Sequence, residues 1–255
     1  MADVTCELIN SMGSDLTVVN AARVSMAKES GWVQQGINED ETLDGVERKA
    51  SYEWYVDCPS LFDDQGVALT CFMLSGKDAK LVSYLAKHEH WTPFAHCQIT
   101  LRETVPIFVA RQRFKHTVGF VYNEISRRYV DDEPEFYTPK VWRKRAENIK
   151  QGSLDEPVDK LLGAGLSYTR ALGYAKETYN QLLAAGVAPE QARMVLPQSM
   201  MTSYYVTGSL AAFARAYKLR IDPHAQREIQ DLAVLWDDII RPLFPVSWEA
   251  LTKGD

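Results

Sequence analysis

Residues 98–129, QITLRETVPIFVARQRFKHTVGFVYNEISRRY, change character twice within one short span. Gln98–Glu103 alternates apolar and polar residues, the period of a half-buried strand. Pro106 then opens IFVARQRF, in which Ile107, Phe108, Ala110, Arg111 and Phe114 suit a helix entered at a proline. From Arg111 to Tyr129 the charged residues Arg111, Arg113, Lys115, His116, Glu124, Arg127 and Arg128 interleave with Phe114, Phe120, Val121, Tyr122 and Ile125. Part of this run must therefore be buried. Guanidinium forks, the Ser126 hydroxyl and the point charge of Lys115 against an apolar wall suit a phosphate group. A structural ion-pair network yields the same pattern, and residue types alone leave both readings open.

Working outward, residues 3–10 predict a short strand, and Asp15 reads as the N-cap of a helix running to about Met26. The polar stretch from Glu29 to Gly66 reads as a long loop, with strand character around Ala50–Val56. An insertion over about 29–75 is the economical description, and long loops in compact domains tend to be functional. Residues 77–87 place Leu81, Tyr84 and Leu85 at helical spacing. Downstream, 155–185, 189–196, 202–219 and 223–242 read as helices separated by Gly186, Pro197 and the Ile221-Asp222-Pro223 break. Strands early and helices late predict an α+β fold, an antiparallel sheet packed with several helices and a helical C-terminal half. With no repeat or linker, residues 1–255 read as a single domain.

The composition agrees with that: 255 residues, 46% hydrophobic and 24% charged, are enough for one large core. The net charge of −6 argues against a protein that coats nucleic acid, although a binder using the basic 102–128 segment is the reading from another class. Cys6, Cys58, Cys71 and Cys97 fit neither a CxxC pair nor a zinc ribbon, so they read as ordinary thiols in a reducing cytoplasm. The N-terminus lacks a basic n-region, and no apolar run has the length of a membrane span. Neither GxGxxG nor a P-loop occurs, which removes the common nucleotide-site motifs.

Three further stretches carry candidate chemistry. In 219–230, LRIDPHAQREIQ, Arg220 ends one helix and Pro223 opens the next, with Asp222 placed to cap it. Arg193 follows a helix start at Pro189-Glu190. His88, His90 and His96 lie within nine residues, but no Cys or carboxylate set completes a ligand pattern and Pro93 interrupts a helix. Hydrogen bonding or ring stacking is expected there, and no metal.

Taken in order, AARVS (21–25), HxHxTPFxH (88–96), the 111–129 run, ARMVLP (192–197) and LRIDPHAQREIQ resemble the flavin-dependent thymidylate synthases. The resemblance implies reductive methylation of dUMP to dTMP, with methylenetetrahydrofolate as one-carbon donor and NADPH reducing bound FAD. It implies that Gln112, Lys115, Glu124, Ser126, Arg127, Arg128 and Arg193 hold dUMP. His90, Thr92, Lys115, His116, Thr117 and Glu124 would face the flavin or folate. Ser209 and Arg215 stand where the family offers asparagines to the flavin adenine. Arg220 matches the arginine that faces the uracil ring and stabilises developing negative charge. A homotetramer with shared active sites is implied as well. The family motif Arg-His-Arg, seven residues, Ser is here Lys115-His116-Thr117, eight residues, Ser126. That departure motivates the alternative of a variant acting on UMP or transferring a hydroxymethyl group.

Overall fold

Four strands form the central antiparallel sheet: β1 (Thr5–Met12), β4 (Gln98–Pro106), β8 (Met201–Ser209) and β5 (Phe120–Glu124), hydrogen-bonded in the order β1-β4-β8-β5. The computed structural model describes residues 2–35, 71–147, 152–158 and 163–253. The α+β class expected from the sequence is the one found. Two short ladders accompany the sheet. β2 (Val33–Gln35) pairs antiparallel with β3 (Cys71–Met73), and β6 (Arg143–Arg145) with β7 (Ser153–Pro157). The first ladder ties together the ends of the polar stretch read as an insertion. The strand expected around 50–56 lies outside the described residues.

The helices are α1 (Asp15–Arg23), α2 (Gly76–Lys87), α3 (Thr92–Ala95), α4 (Ile107–Arg113), α5 (Ala164–Ala184), α6 (Pro189–Ala192), α7 (Leu210–Arg220), α8 (Arg227–Leu243) and α9 (Pro245–Thr252). Several expectations need correcting. Ser14, not Asp15, is the N-cap of α1, within a capping box with Thr17. Asp15 is buried and accepts from the Val246 and Ser247 amides, both at 2.9 Å, so it caps α9 from across the chain. In α2 the buried apolar residues are Val82 and Leu85, while Tyr84 is exposed. Asp222 caps no helix: it accepts from the His224 amide at 2.7 Å, and α8 begins only at Arg227. Residues 155–157 belong to β7.

The largest correction is β8, read from the sequence as the start of a helix at 202. Thr202, Tyr204, Tyr205, Val206 and Thr207 are β-branched or aromatic, and such side chains pack on a pleated surface better than on a helix. Thr202, Tyr204, Val206 and Gly208 turn to the buried face. On the other face Thr207 meets Thr100 at 2.9 Å and Ser203 meets Thr104 at 3.0 Å, a ladder of cross-strand hydroxyls.

Close contacts group the chain into two compact units. One comprises Met1–Ile9, Thr100–Thr207 and Ala216–Trp236, the other Asn10–Ile99, Gly208–Arg215 and Asp237–Asp255. The core of the first includes Leu101, Val105, Val109, Val206, Ile229 and Trp236. That of the second includes Val18, Val82, Phe94, Phe213, Phe244 and Trp248.

Candidate functional site

The structure sorts the polar run at 111–129 into groups with different surroundings. Arg113 belongs to the core of the first unit. Its side chain and that of Glu103 are both fully buried, and Nε lies 3.1 Å from Glu103 Oε2. Nη1 donates to the Tyr122 hydroxyl at 2.7 Å, and the guanidinium stacks 4.3 Å from the Phe120 ring and 4.6 Å from Trp236. Glu103 also accepts from Tyr204 Oη at 2.6 Å and Trp236 Nε1 at 2.9 Å. Burial opposes the charge on Arg113, but Glu103 holds it, and the pKa stands above its ordinary value. For Arg113 the ion-pair network is the correct reading. The signal was in the sequence: Glu103 falls in phase with Ile99, Leu101 and Val105 on β4, the buried phase.

Immediately after α4 the chain turns, with the His116 amide donating to the Arg113 carbonyl at 3.1 Å. This turn buries His116 while its neighbours Lys115 and Thr117 stay exposed. Arg220, the last residue of α7, donates from Nε to His116 Nε2 at 2.8 Å and from Nη2 to the Gln112 carbonyl at 3.3 Å. The Gln112 side chain reaches Gln226 Oε1 at 2.7 Å. Gln112, His116 and Arg220 are thus brought together. Burial, and then the charge of Arg113, lower the pKa of Arg220.

A cavity of about 880 Å³ opens in the same unit. Its lining includes four residues that the resemblance implies, Glu124, Ser126, Arg127 and Arg193, together with Arg111 from the same polar run and Thr202, which the sequence did not single out. Thr202 donates to Glu124 Oε1 at 2.6 Å. Reading 202 as helical hid this residue, because only a strand in the central sheet sets it beside β5. Arg127 donates to the Asp132 carbonyl. Arg128 is outside the cavity lining and pairs with Glu190 at 3.3 Å, while Arg193 Nε donates to the Glu190 carbonyl at 3.3 Å. Glu190 therefore joins two of the expected arginines; the sequence offered it only as a helix-start residue.

The second unit holds the other expected positions. A helix-ending motif places His90. Glu89 takes a left-handed conformation (φ 56°), its amide donates to Ala86 O at 3.1 Å, and the His90 amide donates to Leu85 O at 2.8 Å. His90 packs with His88 and exposed Tyr84, ring centroids 6.4 and 6.1 Å away, and Trp91 beside them is exposed. Glycine is the usual residue at such a cap. Glu89→Gly should therefore raise stability by about 0.5–1 kcal/mol, the left-handed penalty less the entropy glycine loses. A thermal melt that shows no gain would contradict this. Thr92 is exposed at the start of α3. Ser209 is buried and its Oγ accepts from the Ala212 amide at 3.2 Å, the geometry of an N-cap for α7. Arg215 is exposed on α7. Cys97 is fully buried, its thiol directed at the Ser14 carbonyl at 3.5 Å, and burial pushes its pKa up to about 12. Among the described residues no three His, Cys, Asp or Glu side chains are grouped to hold a metal ion, and no helix is long and apolar enough to cross a membrane.

The profile of the family described as Thymidylate synthase complementing protein matches residues 7–246. A flavin-dependent thymidylate synthase of Thermotoga neapolitana is 34% identical over 247 residues, 97% of this chain and 90% of that protein. One of Thermosipho africanus is 38% identical over 178 residues, 69% of this chain and 78% of that protein. The crystal structure of the UMP/dUMP methylase PolB from Streptomyces cacaoi bound with 5-Br dUMP superposes with a TM-score of 0.73 at 31% identity, covering 99% of this chain and 97% of PolB. The same enzyme bound with 5-Br UMP gives 0.74 at 28% identity, covering 100% and 96%.

Proposed function

The chain belongs to the flavin-dependent thymidylate synthase family, and from that premise we propose that it methylates the uracil ring of dUMP to give dTMP. The observation that carries the reading is the cavity in which Ser126, Arg127 and Arg193 converge with Glu124. Its volume is in the range that takes a nucleotide-sized ligand. Two guanidinium groups and a hydroxyl in the lining suit the 5′-phosphate. Glu124, whose carboxylate accepts from Thr202, would accept a further hydrogen bond from the base or sugar. Arg128 comes to the phosphate if it releases Glu190. Arg220 supplies a cation for the negative charge that develops on the ring, so that ring carbon becomes the nucleophile.

The residues present fit a flavin. The exposed rings of Tyr84, His88, His90 and Trp91 offer π faces to a flat heteroaromatic group, and Thr92 adds a hydroxyl. Lys115 and Thr117, the positions of the divergent motif, are exposed after α4. When bound, FAD supplies the hydride chemistry, with NADPH as reductant and methylenetetrahydrofolate as one-carbon donor. The chain's own task is to bind, orient and shield.

Exposed Val121, Ile125, Tyr129 and Met194 on segments adjoining the cavity support assembly as a homotetramer with shared sites. Free Cys6 and Cys97 support a cytoplasmic setting. UMP as an additional substrate is a second reading, favoured by the near-complete superposition on an enzyme described as a UMP/dUMP methylase.

The test is anaerobic absorbance of the FAD-loaded protein mixed with NADPH, with and without dUMP or UMP, followed by product mass after folate is added. Faster bleaching with dUMP and a product heavier by one methyl group are expected. A hydroxymethylated product, or none, would overturn the proposal. Because the Cys97 thiol stays protonated and enclosed, Cys97→Ala should retain turnover. Complete loss with folding intact would overturn a mechanism without a protein thiol.

A further inference from the structure

We propose that His116 is a positioning residue for Arg220: its bare Nε2 and the Gln112 carbonyl clamp two separate N–H groups of the guanidinium and fix the direction of its remaining donors. The inference rests on the role of Arg220 proposed above. The resemblance assigns His116 to the flavin side, whereas the structure turns its ring onto an arginine.

The partners of Arg220 set it apart from four other sheltered arginines, while Arg127, half-buried as well, bonds a peptide carbonyl. Arg23 is paired with Asp78, Arg113 with Glu103, Arg143 with Glu228, and Arg241 with Asp237 and Glu249. Each of those cations is cancelled by a carboxylate. Arg220 is held instead by an imidazole nitrogen and a peptide carbonyl, both neutral. A guanidinium only donates, so Nε2 must be the unprotonated nitrogen and the ring must be neutral. A carboxylate in that place would orient Arg220 as well, but it would consume the charge needed at the ring of the substrate. A neutral acceptor orients without neutralising, and the pKa of Arg220, lowered by burial and then by the charge of Arg113, agrees with the absence of a cancelling anion among the described residues.

The clamp is itself anchored. The His116 carbonyl accepts from Tyr122 Oη at 2.7 Å, Tyr122 is bonded by Arg113 at 2.7 Å, and Arg113 is paired with buried Glu103. A chain of hydrogen bonds therefore runs from the core of the first unit to the tip of Arg220.

The experiment compares His116→Leu and His116→Gln in the FAD-loaded enzyme. Turnover, nucleotide KM, the flavin band and circular dichroism are recorded. The Arg220 Nε–H resonance, assigned by its loss in Arg220→Lys, is followed by NMR as a readout free of turnover. His116→Leu should lower kcat by about 10²-fold, the scale of a misdirected catalytic group, with KM, flavin band and fold nearly unchanged. His116→Gln, whose amide oxygen can accept, should recover most of the loss. The Nε–H resonance should be slow to exchange in wild type and His116→Gln, and fast in His116→Leu. In an Arg220→Ala background His116→Leu should cost nothing further. Unchanged kcat and exchange in His116→Leu, loss of the flavin band, or a full additive loss without Arg220 would each overturn the proposal. A wild-type protein that makes no methylated nucleotide would instead count against the function, and the exchange rates would still judge the clamp.

Discussion

Glu103→Ala should destabilise the protein by about 3–5 kcal/mol, the cost of leaving a buried charge without its partner. The carboxylate is fully buried and accepts from three different residues. Its removal leaves the Arg113 guanidinium without the anion that offsets its burial. It also strips the Tyr204 hydroxyl and the Trp236 indole N–H of their acceptor, each a further desolvation cost. The three donors come from α4, β8 and α8, so the loss loosens three elements at once. The double variant Glu103→Leu with Arg113→Met should be much less unstable than Glu103→Ala, because two apolar side chains of similar volume leave no orphaned charge. Urea unfolding of the three proteins decides this. A loss below about 1 kcal/mol for Glu103→Ala would show that water or a rearranged partner satisfies Arg113.

Arg220→Ala should lower kcat by about 10²–10³-fold, the scale seen when a preorganised donor at a developing negative charge is removed. KM for the nucleotide should change far less, since Ser126, Arg127 and Arg193, proposed above to hold the phosphate, still line the cavity. Arg220→Lys should remain severely impaired. One ammonium on a flexible stem cannot reach the His116 nitrogen and the Gln112 carbonyl while presenting a forked pair of donors outward. Steady-state turnover with radiolabelled or mass-resolved product measures both variants. A kcat for Arg220→Ala within about tenfold of wild type would remove Arg220 from the chemistry.

Much of the local structure was legible beforehand, for reasons that can be stated residue by residue. β4 and α4 follow from the alternation of Ile99, Leu101 and Val105 and from Pro106, whose fixed φ suits a helix entrance. The convergence of Glu124, Ser126 and Arg193 on one cavity was anticipated only through motif resemblance, because Ser126 and Arg193 are far apart in the chain and no local rule relates them. β8 was misread because Ala211, Ala212 and Ala214 immediately beyond it favour a helix, and sequence alone does not mark where strand gives way to α7. The N-cap role of Ser209 is the local event that marks that boundary.

The sequence by itself determined the residue types, the periodicities and thus the α+β class, together with the order of motifs that identifies the family. Those properties depend on neighbours within a few turns or pleats, which is the range over which steric and hydrogen-bonding rules act. Tertiary structure alone decided which charges are cancelled by a carboxylate and which are held by neutral partners. Arg113 and Arg220 are the same residue type, each the last residue of its helix. One is enclosed with a carboxylate, and the other is clamped by a neutral imidazole and a carbonyl. Burial and the charge of the partner, both set by chain segments distant in sequence, make one arginine a core strut and leave the other, among the described residues, with neutral partners only.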